Sequence, residues 1–199
     1  FNTLVLVASL RDSEANAPVT SGFDRRQGRA HGRKPRPDVE GLRAATSSSV
    51  PIVERMHPEM DLAAARSAHD RLLATVQTMT ELEAESPSRL SGWSRAHVLT
   101  HLARNADSHR WLIEGAIVGQ VRTQYPTPGM READIAAGGR RAIDELREDL
   151  NNACARLEAA WDAVPHDVWD CECVLGVGAR PLHELPFRRL REVEVHHTD

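Results

Sequence analysis

The chain is 199 residues long, enough for one domain of ordinary size with its own core, and its formal net charge of -4 makes no case for nucleic acid or an acidic surface as a partner. No apolar run approaches the roughly 18 residues that a membrane-spanning helix needs. Three cysteines, an odd number, argue against a disulfide framework and fit a reducing compartment such as the cytoplasm, while ten histidines direct attention to metal or acid–base chemistry.

Residues 1–10 are apolar but lack a basic flank and a clear small-residue cleavage site, so no signal peptide is expected. Residues 1–55 read as a different kind of polymer from the rest. Arg25, Arg26, Arg29, Arg33, Lys34, Arg36 and Arg43 are interspersed with Gly and Pro, and no helical or strand period runs through them. Such a segment cannot bury enough apolar surface to offset its ordering entropy. A basic arm for nucleic acid or lipid is one reading. A disordered tail, or translated sequence upstream of a start at Met56 or Met60, is the preferred one. The chain opens on Phe1 and stops at Asp199 inside an expected helix, which together fit a fragment of a longer reading frame.

A first helix is expected from Met60 or Asp61, with Asp61 as N-cap, to the Glu85-Ser86-Pro87 stop. Leu62, Ala65, His69, Leu72, Leu73, Val76, Met79 and Leu82 follow a period close to 3.6. Ser91-Gly92-Trp93-Ser94 is a turn, and Ser94 caps a second helix that runs to about Gly119. Val98, Leu99, Leu102, Ala106, His109 and Ile113 share its apolar stripe. His101 and Asn105 lie at the rim of that stripe, and His97 lies farther round, towards solvent.

Residues 120–128 are a loop. Residues 130–164 are helical, with a bend at Gly138-Gly139 that can divide them into two helices. Val174-Leu175-Gly176-Val177 is a candidate strand or hairpin arm. Pro186 suits the first turn of a last helix, whose packing face is assigned to Phe187, Leu190 and Val193. The expected fold is an all-α, antiparallel four-helix bundle over residues 60–199.

Glu192 and His196 are four apart on that last helix, which puts both side chains on one face with roughly 5–6 Å between Cβ atoms. His101 on another helix is a candidate third ligand. Three His and Glu ligands leave a fourth position open, the pattern of catalytic zinc. Alone the Glu-x3-His spacing is common on surface helices. His97 pairs with His101 at i,i+4 and is a rival ligand. His197 is a weaker one, because Val193 four residues back cannot ligate. Asn105, one turn after His101, is a candidate for orienting it or lining a pocket. Cys171-Glu172-Cys173 lacks a second cysteine pair, so a structural zinc site is not expected there. A bundle with purely structural histidines, or an anti-sigma-like interaction module, is the non-catalytic alternative.

The segments Gly92-Trp93-Ser94 with Val98 to Ala106, and Arg189 to Asp199, resemble the mycothiol-dependent maleylpyruvate isomerases. So do Tyr125-Pro126 with Arg131, and Asp134 to Gly138. The resemblance covers about residues 60–199, the metal-binding N-terminal domain of that family, a DinB-like four-helix bundle. It implies His101, Glu192 and His196 as ligands of Zn2+ or another divalent metal. Mycothiol is the implied cofactor, a low-molecular-weight thiol whose thiolate adds to the cis double bond of maleylpyruvate and leaves after rotation to give fumarylpyruvate. Arg131 is the implied anchor for a carboxylate of this small-molecule substrate. Two departures stand out: the isomerases carry a further C-terminal domain, and residues 1–55 have no counterpart in them. Relatives of the domain also serve other thiol transfers, so a metal-dependent S-transferase acting on a different electrophile is the second enzymatic expectation.

Overall fold

The computed structural model describes residues 58–199; the disordered arm expected over residues 1–55 lies outside them. The helices are α1 Glu59–Thr78, α2 Glu81–Glu85, α3 Arg95–Ile117, α4 Met130–Gly138, α5 Ile143–Asp162 and α6 Leu185–His196. Between α5 and α6 an antiparallel hairpin pairs β1 Glu172–Leu175 with β2 Gly178–Pro181, flanked by short 3-10 turns. Among the described residues no helix is long and apolar enough to cross a membrane.

The four long helices form the expected bundle, and polar contacts across it fix their directions. Arg66 near the start of α1 meets Glu158 and Asp162 near the end of α5. Arg147 near the start of α5 reaches the Val76 and Met79 carbonyls at the end of α1, so these two helices are antiparallel. Arg71 with Glu194 and Thr75 with His197 advance together, making α1 and α6 parallel. Arg104 with Asp149 and Asp107 with Arg156 do the same for α3 and α5. His101 meets Glu192 while Asn105 meets Arg189, so α3 and α6 are antiparallel. The path is therefore up, down, down, up. Parallel neighbours cannot be joined by a tight turn, and residues 118–142, with α4 among them, carry the chain back along α3 before α5 begins. The same path brings the first turns of α3 beside the last turns of α6.

Leu72 and Val76 of α1, Leu102 and Ile113 of α3, Leu146, Leu150 and Leu157 of α5, and Val193 of α6 are buried at the bundle centre. Each such aliphatic side chain contributes about 1.5–3 kcal/mol on leaving water.

The local departures from expectation have identifiable causes. α1 starts at Glu59, so Asp61 sits inside the first turn, where a carboxylate favours the helix dipole, and is not the cap. α1 also ends at Thr78 rather than Glu85. Thr80 opens α2 with its own capping box: Glu83 donates its backbone N–H to the Thr80 hydroxyl and accepts from the Thr80 N–H. Leu82 is consequently exposed. Glu81 accepts from the Ile143 N–H at 2.9 Å and so caps α5. On α6 the buried face is Leu185, Pro186, Arg189, Val193 and His196, and Phe187 points outward. The last helix closes at His196 rather than running to Asp199. Trp161 and Trp169 are core residues, but Trp111 is partly exposed beneath the Arg122 guanidinium, 3.7 Å from its ring centre.

The divided helix at Gly138-Gly139 is present, for a reason beyond helix propensity. A Cβ on Gly138 would stand 2.2 Å from the Thr100 side chain, and one on Gly139 would stand 2.3 Å from the His97 ring. The end of α4 therefore packs its bare backbone on α3. Intrinsic propensity favours Ala over Gly in a helix by about 1 kcal/mol. Gly138→Ala is nevertheless expected to destabilise the domain by about 1–3 kcal/mol, because buried Thr100 has no room to yield. Thermal melting of the two proteins reads the sign, and an unchanged or raised midpoint would contradict this packing.

Candidate metal centre

The turn before α3 is a tight one, with Gly92 at φ 79 and the Trp93 N–H bonded to the Leu90 carbonyl. Ser94 is the N-cap, as the sequence indicates. His97 completes the cap: its Nδ1 accepts the Ser94 N–H at 3.2 Å and lies 2.7 Å from the Ser94 hydroxyl. The ring is half-buried against Trp93 and Gly139 instead of facing solvent, and His97 is not among the three residues whose donor atoms converge. One turn later His101 is buried under Trp93, whose ring meets it edge-on at 5.8 Å.

Glu192 and His196 project from the last two turns of α6 towards His101. Nε2 of His101 lies 3.2 Å from Glu192 Oε2, and Nε2 of His196 lies 3.6 Å from the same oxygen. One donor atom from each of the three residues lies within 4.8 Å of the others. Tetrahedral coordination with bonds of about 2.0–2.1 Å places neighbouring donors roughly 3.3–3.4 Å apart, so the spacing suits a single ion of that size. The other ring nitrogen of His196 is 2.7 Å from Asp199 Oδ2, the carboxylate–imidazole pairing that fixes a metal-binding histidine. Two imidazoles and one carboxylate are a donor set that fits zinc and several other first-row divalent ions.

Burial lowers His101 below the ordinary imidazole value, and its hydrogen bond to Glu192 only partly opposes this, so the ring stays neutral and able to ligate. Burial alone would raise the Glu192 carboxyl. The hydrogen bond from His101 and the fields of His101, His196 and His109 overcome it and hold the group at about 2. The centre thus keeps one ionised carboxylate and neutral His101 at physiological pH.

The remaining candidates are distributed around this cluster. The Arg131 guanidinium, on the first turn of α4, reaches within 3.4 Å of His101 Nδ1 and lies 5.9 Å from the Trp93 ring centre. Asn105 is buried, but its carbonyl oxygen accepts from Arg189 Nη1 at 2.9 Å, so it faces the bundle interior behind His101. His197 turns away to Thr75. Cys171 is exposed and Cys173 buried, both as free thiols. His109 is buried two turns beyond His101, and its Nδ1 has no partner among the described residues. Burial, helped by the charge of Arg189, pushes it down to about 3.

Two residues that spacing did not reveal also belong here. Tyr125 is held at the site by the loop before α4, which bridges to β1 through Thr123 and Val174. Burial raises its phenol, while hydrogen bonding to Ser108 and Arg131 and the charge of Arg131 oppose the shift. The Tyr-Pro pair was its only local signal. Arg189 is the second, and its position on the α6 stripe with Val193 and His196 was the signal for it.

The profile of the mycothiol maleylpyruvate isomerase N-terminal domain matches residues 65–199. A crystal structure of the mycothiol-dependent maleylpyruvate isomerase superposes with a TM-score of 0.69 at 30% identity. The match covers 72% of this chain and 60% of that one. A histidine-to-alanine mutant of that isomerase gives the same figures. The chain thus spans about 60% of the length of these solved relatives. No curated protein matches the chain significantly.

His69, His101 and His109 all hold protons less tightly in the fold than the ordinary imidazole value of 6.5. In metal-free protein the unfolded chain therefore binds more protons below that pH. Stability is complete above about 6.5 and falls as the pH drops towards the folded-state values, by up to ~1.4 kcal/mol per pH unit for each histidine. Urea unfolding in the presence of a chelator is expected to show a lower midpoint at pH 5.5 than at pH 7.5, and a shallower dependence in His109→Leu. Equal midpoints would contradict the burial of these rings.

Proposed function

The chain belongs to the mycothiol maleylpyruvate isomerase N-terminal domain family, and on that footing we propose that residues 60–199 are the metal-binding domain of an isomerase that converts maleylpyruvate to fumarylpyruvate with mycothiol. The observation that carries this reading is the convergence of His101, Glu192 and His196 on one point. We assign them as the ligands of a divalent metal, with zinc the first candidate.

A zinc ion held there would leave one position open and keep a thiol bound at it deprotonated near neutral pH. The chain's own side chains supply the rest. Glu192 remains ionised and balances part of the metal charge. Asp199 holds the His196 ring in the tautomer that presents Nε2. Trp93 covers His101 on one edge and limits water on that side. Arg131, the assigned anchor, can pair its guanidinium with a substrate carboxylate beside the metal position, and Tyr125 can donate its hydroxyl to the same group. Asn105 acts from behind the ligands instead of touching substrate. The partners on this reading are a small dicarboxylate substrate and a low-molecular-weight thiol. The free cysteines fit a reducing compartment such as the cytoplasm.

Purified protein is expected to bind one divalent ion per chain, and His101→Ala, Glu192→Ala or His196→Ala to weaken it by about 100-fold or more. Isomerisation of maleylpyruvate should require mycothiol, disappear with the metal in chelator and return with zinc. In Arg131→Ala the loss of a charged hydrogen bond is expected to raise KM by about 10–100-fold. Protein with no bound divalent ion under non-chelating conditions would overturn the assignment. A metal-loaded protein that reacts mycothiol with other electrophiles but not with maleylpyruvate would replace the isomerase by a transferase.

A further inference from the structure

We propose that Arg189 is a positioning residue for the His101–Glu192–His196 cluster: it clamps α6 to α3 and so sets the separation of the two halves of the site. The inference rests on the reading of those three residues as metal ligands.

Arg189 lies three residues before Glu192 on α6 and is fully buried. Its Nη1 donates to Asn105 Oδ1 at 2.9 Å and to the Leu102 carbonyl at 2.9 Å. Leu102 follows His101 directly, and Asn105 stands one turn beyond it. The guanidinium is thus fastened to the turn of α3 that carries His101, while its own helix carries Glu192 and His196 over the next two turns. A planar fork with fixed donor directions specifies a helix separation in a way that a flexible ammonium cannot. The other donors tie this junction to the rest of the bundle. Nε donates to His69 Nε2 on α1 at 2.9 Å, and Nη2 lies 3.5 Å from Cys154 Sγ on α5.

The buried charge is balanced away from the ligand set. A guanidinium has only donors, so His69 Nε2 must accept and its proton sits on Nδ1. That nitrogen lies 2.6 Å from Glu158 Oε1. Burial, with the field of Arg189, keeps His69 neutral, and the ring stacks on Trp161 at 5.7 Å. Burial would raise Glu158, but the hydrogen bond from His69 and the charge of Arg66 hold it ionised. The counter-charge of Arg189 is thereby a carboxylate on the α1–α5 side of the bundle, reached through a neutral imidazole. Glu192 is left to face the two histidines of the centre. A direct Arg189–Glu192 pair would compete with a cation for that carboxylate.

The test is zinc affinity by competition with a chromophoric chelator, measured on the wild-type chain, Arg189→Lys and Asn105→Ala. The absorption spectrum of the Co2+-loaded proteins serves as a readout of ligand geometry. Arg189→Lys keeps the charge and removes the fork; Asn105→Ala removes one acceptor and leaves Arg189 in place. Both are expected to bind zinc at least about tenfold more weakly, with altered cobalt bands and retained helical circular dichroism. If Arg189→Lys does not fold, Asn105→Ala decides. Wild-type zinc affinity and an unchanged cobalt spectrum in Asn105→Ala would overturn the positioning role while leaving the ligand assignment intact. Wild-type protein that binds no zinc would instead remove the ligand assignment, and the positioning role with it.

Discussion

The guanidinium of Arg189 sits among all four long helices, reaching from α6 to His69 on α1, Leu102 and Asn105 on α3, and Cys154 on α5. Burying such a cation is costly unless its donors are matched and its charge is balanced. Both conditions hold only when the helices adopt one relative alignment, because the acceptors come from three different elements. An apolar side chain in that position would leave Asn105 Oδ1 and His69 Nε2 without this donor, at about 1–3 kcal/mol for each stranded group, while the Leu102 carbonyl would keep only its bond within α3. Hydrophobic burial holds the bundle together, and this network selects how its helices are phased.

The phasing matters because the candidate centre is split between helices that are distant in sequence. The up, down, down, up path makes α3 and α6 antiparallel neighbours, so the second turn of one faces the last turns of the other. The crossover that the path requires is also used. Its loop docks on β1 and brings in Tyr125, and α4 carries Arg131 to the same end of α3. The hairpin, the loop and the glycine-lined contact of α4 with Thr100 and His97 therefore shape the surroundings of the candidate centre.

Much of this was legible in the sequence. The apolar period located α3, α5 and α6 closely; the i,i+4 spacing of Glu192 and His196, with His101 at the rim of a packed stripe, made these three residues candidates, and the family resemblance chose them from among their rivals; the structure brings them together. The departures have separate physical causes. Arg189 falls in phase with Leu185, Val193 and His196, yet it stands in a run with Arg188 and Arg191 that reads as a solvated face. Of the expected packing face of Phe187, Leu190 and Val193, Phe187 is exposed. The angle of His97 round α3 points it towards solvent, whereas its distance of three residues from Ser94 makes it a capping partner. Thr80 and Glu83 form a capping box that is legible in the sequence and divides the helix well before the later proline. Tyr125 could not be placed, because a loop has no period from which to infer direction.

Function follows from whether the three side chains hold an ion and leave room beside it for a thiol. Glu192 is ionised, His101 is neutral, and His196 is oriented by Asp199, which are the protonation states and supports that coordination needs. The most direct measurement is zinc-edge X-ray absorption of the loaded protein before and after addition of mycothiol. The account predicts nitrogen and oxygen donors at about 2.0–2.1 Å with the multiple scattering of two imidazoles, and one sulfur at about 2.3 Å once the thiol is present. A first shell without imidazole scattering, or one that gains no sulfur with mycothiol, would contradict it.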